Sequence, residues 1–486
     1  MKNKKIVVLL KYYQGELNPF DGAALECALE TGANEIIALT MSPISVKTSF
    51  QSLTRLGVKC VMLSDSDFAG SDTQATSLVL VEAVKRLNPD YIFCGRQSVD
   101  GDTGQVPPML AQRLGFSIKT RAVAFDGEQI TLRNGERFIP REKTVITFEK
   151  IRALRFPSIF SKLGEIELWD NSVLKLPREQ CGLAGSPTRV IKSYESQTGK
   201  RICQFVQAEQ LSALITQSLK KPRIEQHCEA AQKLDEVYFV GDIQAIAERV
   251  AKRCVKLETA NKTVEKLALE TQGKIVLWED SEPLKILASQ TAVLTGAGLC
   301  ADCIAFRTEN SKFVMTRPAL GGNITADIVC NAQTAFATVR TARSENGEIV
   351  FSVGKGAIGQ IDKIKELAKK FNAEVCCSRT VADSGKLPYE QQVGLTGKTV
   401  SPKVYVAFGI SGAVQHTCAI IGAGTVIAVN IDKNARIFDY ADFGIIKNYN
   451  KRARHLSAKA KGKNYVSRIK RNFKNGRRRE LLYSRI

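Results

Sequence analysis

The chain is 486 residues long, enough for about two to four domains of ordinary size. Hydrophobic content of 44% with 24% charged residues describes a globular chain with a packed core, and the longest apolar runs, such as residues 6–10, fall far short of the roughly 20 residues a bilayer span needs. The formal charge of +21 is mostly terminal: residues 449–486 hold fourteen Lys/Arg against Glu480, or +13, leaving +8 for residues 1–448, so nucleic-acid binding by the body of the chain is not implied.

The first hundred residues alternate between strand and helix patterns. Residues 5–10 read as a buried parallel strand, and a helix starts near Asn18, with Asn as N-cap and Pro19 at the first helical position. Residues 35–41 form the next strand, 46–56 a helix, 60–64 a strand, 73–86 a helix and 91–94 a fourth strand. Such alternation implies a parallel sheet wound by right-handed crossovers. The pattern then changes, and residues 128–133, the Asn134–Gly135 turn signal and residues 144–148 read as a β excursion. Residues 185–235 are polar and poorly patterned until Leu211. Alternation resumes with strands at 236–240 and 274–278, then at 348–353, a helix over 361–371, and strands at 374–376, 403–408 and 425–430. The fold class is α/β, with three alternating units built on parallel sheets.

Thirteen cysteines show no framework spacing, and Cys300 and Cys303 form the one CxxC; buried thiols in a reducing compartment are the favoured reading. No secretory signal is evident, so the cytoplasm is the default location. In open α/β sheets ligands sit beyond the carboxyl ends of strands, and three loops have a suitable composition. Ala407-Phe408-Gly409-Ile410-Ser411-Gly412-Ala413-Val414-Gln415-His416 lets backbone approach a ligand, with Ser411 placed to cap the next helix and His416 in its first turn. By itself it reads equally as a tight turn beside a core histidine. Gln391-Gln392-Val393-Gly394-Leu395-Thr396-Gly397-Lys398-Thr399 offers amides, a hydroxyl and two glycines that could wrap a heterocycle or form an ordinary polar connection. Cys94-Gly95-Arg96-Gln97-Ser98-Val99-Asp100-Gly101-Asp102-Thr103-Gly104-Gln105-Val106 suits a phosphate cradle through its glycines and Thr103, with Asp100 and Asp102 orienting the loop or reaching sugar hydroxyls.

Several longer motifs occur in order: Thr316-Arg317-Pro318-Ala319-Leu320-Gly321-Gly322-Asn323, then Cys377-Ser378-Arg379, Gln392-Val393-Gly394-Leu395-Thr396-Gly397, Gly409-Ile410-Ser411-Gly412-Ala413-Val414-Gln415-His416, and Ala441-Asp442-Phe443-Gly444. Over residues 316–444 the chain resembles the α subunit of electron-transfer flavoproteins. Over residues 4–196, with the loop after Cys94 and Gly182-Leu183-Ala184-Gly185-Ser186-Pro187-Thr188, it resembles the β subunit of the same family. The order is therefore β then α in one chain. Fusion raises the effective concentration of the two parts. The resemblance divides the chain into a β-like adenine-nucleotide domain at 1–196, a linker and shortened first α domain at 197–345, an FAD domain at 346–448 and a basic tail at 449–486.

The resemblance implies FAD in the α-like part. Its site would include Lys355, Ser378, Arg379, Gln392, Val393, Gly394, Leu395, Thr396, Ser411, Gly412, Ala413, Val414, Gln415, His416, Asn430, Asp442 and Phe443. Arg379 would face the isoalloxazine and favour its negatively charged reduced form, His416 would do similar work at the pyrimidine carbonyl, and Thr396 would bond near N5. Lys355 replaces a family arginine, Leu395 a glutamine and Phe443 a tyrosine. In the β-like part the resemblance implies AMP or a second FAD, at Leu9, Asn18, Pro19, Phe20, Asp21, Met41, Asp100, Gly101, Asp102, Thr103, Gly104 and Gln105. Residues 152–162 occupy the place of the family's docking loop, with Phe156 at a leucine anchor position, although the lysine run expected after it is missing; a solvent-side turn is the alternative reading.

The implied function is an electron carrier that accepts electrons on FAD from a flavin-dependent dehydrogenase, of the acyl-CoA type, and passes them to a second redox partner. The alternative is an NADH-oxidising, electron-bifurcating protein with a second FAD, and a third reading is a nucleotide-binding regulator without redox work. The tail has too few aromatics for base stacking.

Overall fold

The computed structural model describes residues 3–133, 135–150, 153–195, 200–220, 233–310, 312–320, 324–339, 348–395 and 397–447. Asn134, Arg152, Thr396, the Gly321-Gly322-Asn323 run and the basic tail lie outside the described residues.

Three parallel sheets carry the chain, so the expected α/β class is correct. The first has the strand order Glu167–Trp169, Lys59–Leu63, Glu35–Met41, Lys5–Leu10, Tyr91–Gly95, Thr144–Phe148 and Ser117–Phe125, closed by the short antiparallel strands Ile130–Leu132 and Arg137–Phe138. Lys5–Leu10 is buried on both faces, as its unbroken apolar run requires. Its neighbours are Glu35–Met41 on one side and Tyr91–Gly95 on the other. The chain order reverses there, opening a crevice at the strands' carboxyl ends.

Several local expectations change. Thr144–Phe148 is not part of a β excursion: fully buried, it pairs in parallel with both Tyr91–Gly95 and Ser117–Phe125. Residues 46–56 do not form one helix, because the α-helical piece Lys47–Gln51 is flanked by 3-10 turns at Ile44–Val46 and Ser52–Leu56. Asn18 precedes a helix at Pro19–Glu30 but makes no capping bond; its Nδ2 donates to the Gln97 carbonyl at 2.9 Å.

The second sheet orders Ala251–Lys256, Leu234–Val240, Ile275–Glu279, Ala335–Val339 and Gly298–Cys303, all parallel. Cys300 and Cys303 are buried within its last strand. An antiparallel ribbon lies against it, in the order Thr188–Glu195, Ile324–Cys330, Lys312–Ala319 and Ala305–Glu309. Thr188–Glu195 comes from the β-like half and pairs with a strand of the α-like half over seven register partners.

The third sheet orders Gln204–Phe205, Phe443–Ile446, Thr425–Asn430, Val404–Phe408, Ile349–Val353 and Glu374–Cys377. The helix Leu211–Leu219 packs on this sheet through Ile215, which shares a core with Ile349, Phe351, Val406 and Ile427. The segment after the β-like half is thus built into the C-terminal unit.

Candidate functional site

The carboxyl ends of the third sheet converge. Val353 pairs with Cys377 and Phe408, and Phe408 pairs with Val429, so the turns after all four strands meet at one mouth. Two glycines make that convergence close. A Cβ on Gly354 would fall 2.3 Å from the Gly409 carbonyl, and Gly409 itself holds φ +62°. Asn430 braces the same turn: its Nδ2 donates to the Ile410 carbonyl at 2.8 Å while its Oδ1 accepts from the Asp432 amide at 3.1 Å. Gly412, at φ +85°, lets the chain pass against Ile437.

Around this mouth stand most of the residues expected there. Lys355 opens the 3-10 turn Lys355–Gln360 and is exposed. Ser378 precedes the helix Arg379–Asp383, with its Oγ buried and without a partner. Gln392 and Val393 are buried, and Gly394 packs on the Gln415 carbonyl, which also accepts from the Leu395 amide at 2.6 Å. Ser411 and Ala413 are exposed, Val414 is buried and Gln415 is exposed. Ser411 does not cap the next helix: Val414–Thr417 starts after Ala413 and has no side-chain cap.

His416 is buried, with Nε2 hydrogen-bonded to the Tyr405 hydroxyl at 2.7 Å. Its Nδ1 lies toward the Val393 carbonyl without completing a bond. Burial pushes its pKa down to about 4. At neutral pH the His416 ring is therefore uncharged, so its influence on a ligand is that of a dipole.

Two expected residues are not brought to the mouth. Phe443 pairs with Ile427, and Asp442 sits before it, at the amino end of the strands. The Asp442 carboxylate accepts from the Val426 amide at 2.8 Å and pairs with Arg201 at 2.5 Å. It ties the segment near residue 201 to the sheet's far edge, which removes it from the ligand mouth.

Residues from the β-like half reach this mouth, and local sequence carried no signal of them. Arg133 donates to Gln392 Oε1 and lies 4.4 Å from the Tyr389 ring centroid. Arg379 donates to the Lys150 carbonyl and pairs with Asp383 at 3.3 Å. Glu149, just before Lys150, is ringed by Arg96, Arg121 and Arg133 at 3.3, 3.4 and 3.5 Å. Burial pushes the Glu149 carboxyl up, but the three guanidiniums prevail and hold it below the usual range.

A second mouth opens at the carboxyl ends of the first sheet. Leu9 is buried near the end of its strand and Met41 half-buried at the end of the next. Asn18 and Phe20 are buried, Pro19 is half-buried, and Arg96 lies 5.9 Å from the Phe20 ring centroid. Asp21 is a brace: its carboxylate accepts from the Lys11 amide at 2.7 Å and the Gly95 amide at 2.9 Å, and burial raises its pKa to about 7. Asp100 pairs with Lys11 at 2.7 Å, which outweighs its burial and lowers its pKa. Asp102 holds φ +51° and accepts from Gln97 Nε2 at 3.2 Å, so both acids orient the loop. Gly101 and Thr103 are half-buried, and Gly104 turns at φ +63°. Asn18 Oδ1 and Gln105 Nε2 are buried without partners, the condition expected where a polar ligand completes the site.

Phe156 is 96% exposed, and Ile159 and Phe160 are exposed beside it. Among the described residues, no helix is long and apolar enough to cross a membrane.

The electron transfer flavoprotein FAD-binding domain family matches residues 345–421, and the electron transfer flavoprotein domain family matches residues 6–136 and 197–366. The electron transfer flavoprotein subunit alpha of Thermoanaerobacterium thermosaccharolyticum is 31% identical, over 44% of this chain and 78% of its own length. The subunit beta of Clostridium acetobutylicum is 33% identical, over 36% of this chain and 74% of its own. The acryloyl-CoA reductase electron transfer subunit beta of Anaerotignum propionicum is 37% identical, over 31% of this chain and 55% of its own.

Proposed function

The chain belongs to the electron transfer flavoprotein family, with β-like and α-like parts fused into a flavoprotein electron carrier, and we propose that its flavin is held at the third sheet's mouth and receives electrons from an acyl-CoA-type dehydrogenase. The observation that carries the assignment is the buried, unpartnered Ser378 Oγ beside buried Gln392 and His416, where two glycine turns close against each other. Those groups fit a polar heterocycle and its phosphates. When bound, FAD supplies reversible acceptance of one or two electrons.

The chain's own residues then orient and tune. Arg379, fixed by Asp383 and the Lys150 carbonyl, supplies positive charge that favours a reduced, negatively charged ring. His416 contributes an uncharged, dipolar ring held by the Tyr405 hydroxyl. Gln392 is positioned by Arg133, so the β-like half sets the posture of a flavin-lining side chain. Lys355, exposed at the start of its 3-10 turn, offers a cation to the phosphates. Phe156, with Ile159 and Phe160, offers an apolar anchor for a dehydrogenase. The name of the Anaerotignum relative supports an acyl-CoA-linked partner.

The second mouth is read as an adenine-nucleotide site for AMP or a second FAD. Unpartnered Asn18 Oδ1 and Gln105 Nε2 support a bound nucleotide, and a second FAD would accompany NADH-dependent bifurcation. Denaturing the purified protein and quantifying FAD and AMP per chain tests both readings. One FAD with one AMP is the expected simple-carrier result; two FADs, with bleaching by NADH, would replace it by the bifurcating reading. No FAD after reconstitution would overturn the flavin assignment.

A further inference from the structure

We propose that Tyr405 is a positioning residue that fixes His416 as its Nδ1–H tautomer, so that the ring's single N–H faces the 392–395 loop at the third sheet's mouth. Alternation along Val404–Phe408 sets Tyr405 apart from its neighbours. Val404, Val406 and Phe408 enter the core that holds Phe351 and Ile427, whereas Tyr405 and Ala407 enter the opposite core with Val350, Cys376 and Val393. A phenol hydroxyl buried among such groups needs a partner, and it has one in His416 Nε2 at 2.7 Å. The two rings meet at 53° with centroids 6.2 Å apart, so they do not stack. Ser352, also buried, is diagonal to Tyr405 on the neighbouring strand, since Val350 pairs with Tyr405 and Ser352 with Ala407. Its Oγ lies toward the Tyr405 hydroxyl without completing a bond.

The direction of these bonds follows from what each group can do. Nδ1 faces the Val393 carbonyl, which accepts and cannot donate. A bare Nδ1 would set two lone pairs against each other, so Nδ1 carries the ring proton. Burial keeps the ring uncharged, which leaves Nε2 bare and able only to accept. Burial also keeps the Tyr405 phenol protonated, and its O–H donates to Nε2. The Ser352 hydroxyl is placed to donate to the phenol oxygen in turn. The protons therefore run one way, from Ser352 through Tyr405 to His416 and on to the loop.

That loop is closed against the turn that carries His416. Gln392 and Val393 are buried, and the Gln415 carbonyl packs on Gly394 and accepts from the Leu395 amide at 2.6 Å. Nδ1 completes no bond within this closure, and a buried donor in that state is available to an acceptor oxygen of a bound ring. With a flavin at this mouth, the reading on which this step rests, the donor favours negative charge on the reduced ring. Tyr405 acts on the ligand through His416.

The test uses the purified flavoprotein, isotopically labelled at the histidine ring nitrogens, and its Tyr405→Phe variant. The chain has three histidines, and the signals lost in His416→Asn assign the ring. At neutral pH wild type should show a protonated Nδ1 and a bare Nε2. In Tyr405→Phe the proton should move wholly or in part to Nε2, because phenylalanine offers that nitrogen no donor. The two-electron flavin potential should fall by about 30 mV, the equivalent of a tenfold loss of preference for the reduced ring. A merely structural Tyr405 would change the melting temperature and move neither readout. Wild type with its proton on Nε2 overturns the proposal whether or not the variant folds. So does a variant that keeps the wild-type ring pattern, or one whose potential stays put while the pattern changes. If the protein holds no FAD the flavin reading falls by itself, and the ring patterns alone then uphold or overturn the assignment of the tautomer to Tyr405.

Discussion

Arg133 of the β-like half donates to Gln392 Oε1 at the mouth proposed for the flavin, while its guanidinium lies over the Tyr389 ring. The residues are 259 positions apart in the chain, yet one side chain makes both contacts. A charged hydrogen bond is worth about 1.5–3 kcal/mol and a cation–π contact about 0.5–2 kcal/mol. Arg133→Met should therefore speed FAD release by about tenfold or more, measured by recovery of flavin fluorescence on dilution. Release at the wild-type rate would mean that the contact does not support the flavin.

Glu149 gives this junction its acid sensitivity. Its carboxyl is held below the ordinary 4.5, against burial, by Arg96, Arg133 and Arg121. Because the folded value is the lower one, the stabilisation is complete above about 4.5 and is lost as pH falls through the folded value. Glu149→Gln should flatten that acid limb. At neutral pH it should also destabilise by about 3–5 kcal/mol, since buried guanidiniums lose their counter-charge. Melting temperature against pH for both proteins checks each point.

Asp442 tests where the flavin site ends. Its bonds to the Val426 amide and Arg201 lie at the amino edge of the sheet. Asp442→Asn should lower stability by about 1–3 kcal/mol while leaving the flavin absorption band and FAD content unchanged. A shifted band with unaltered stability would return Asp442 to the ligand mouth.

These residues show what local sequence carries. Lys5–Leu10, Glu35–Met41, Ile361–Phe371 and Thr425–Asn430 were legible because each is a strong apolar or 3.6-period pattern between turn signals. Thr188–Glu195 was not, because it is a largely exposed strand and has almost no buried face to generate a pattern. Thr144–Phe148 is legible as a strand but not in its topology: the neighbouring turn signal groups it with a β excursion, while its full burial is that of a central parallel strand. At the third sheet's mouth the glycine loops were readable, since their backbone demands particular residues. Arg133, Lys150 and Tyr405 were not, because their roles arise from contacts between distant segments. Asp442 was drawn in by its motif, and only strand direction separates it from the site.

The neutral state of His416 has a redox consequence. Burial lowers its pKa from 6.5 to about 4, so the folded protein favours the uncharged ring. The stability this contributes is full above about 6.5 and is lost as pH falls through about 4. The flavin potential plotted against pH should consequently show no His416-linked change of slope near 6.5. His416→Asn should remove part of the stability loss between pH 6.5 and 4 without moving the potential's slope at neutral pH. Tyr405→Phe should cost about 1–3 kcal/mol by leaving buried Nε2 without its 2.7 Å partner. A slope change near 6.5 in wild type that His416→Asn abolishes would show instead that the ring is charged at the flavin and tunes it as a cation.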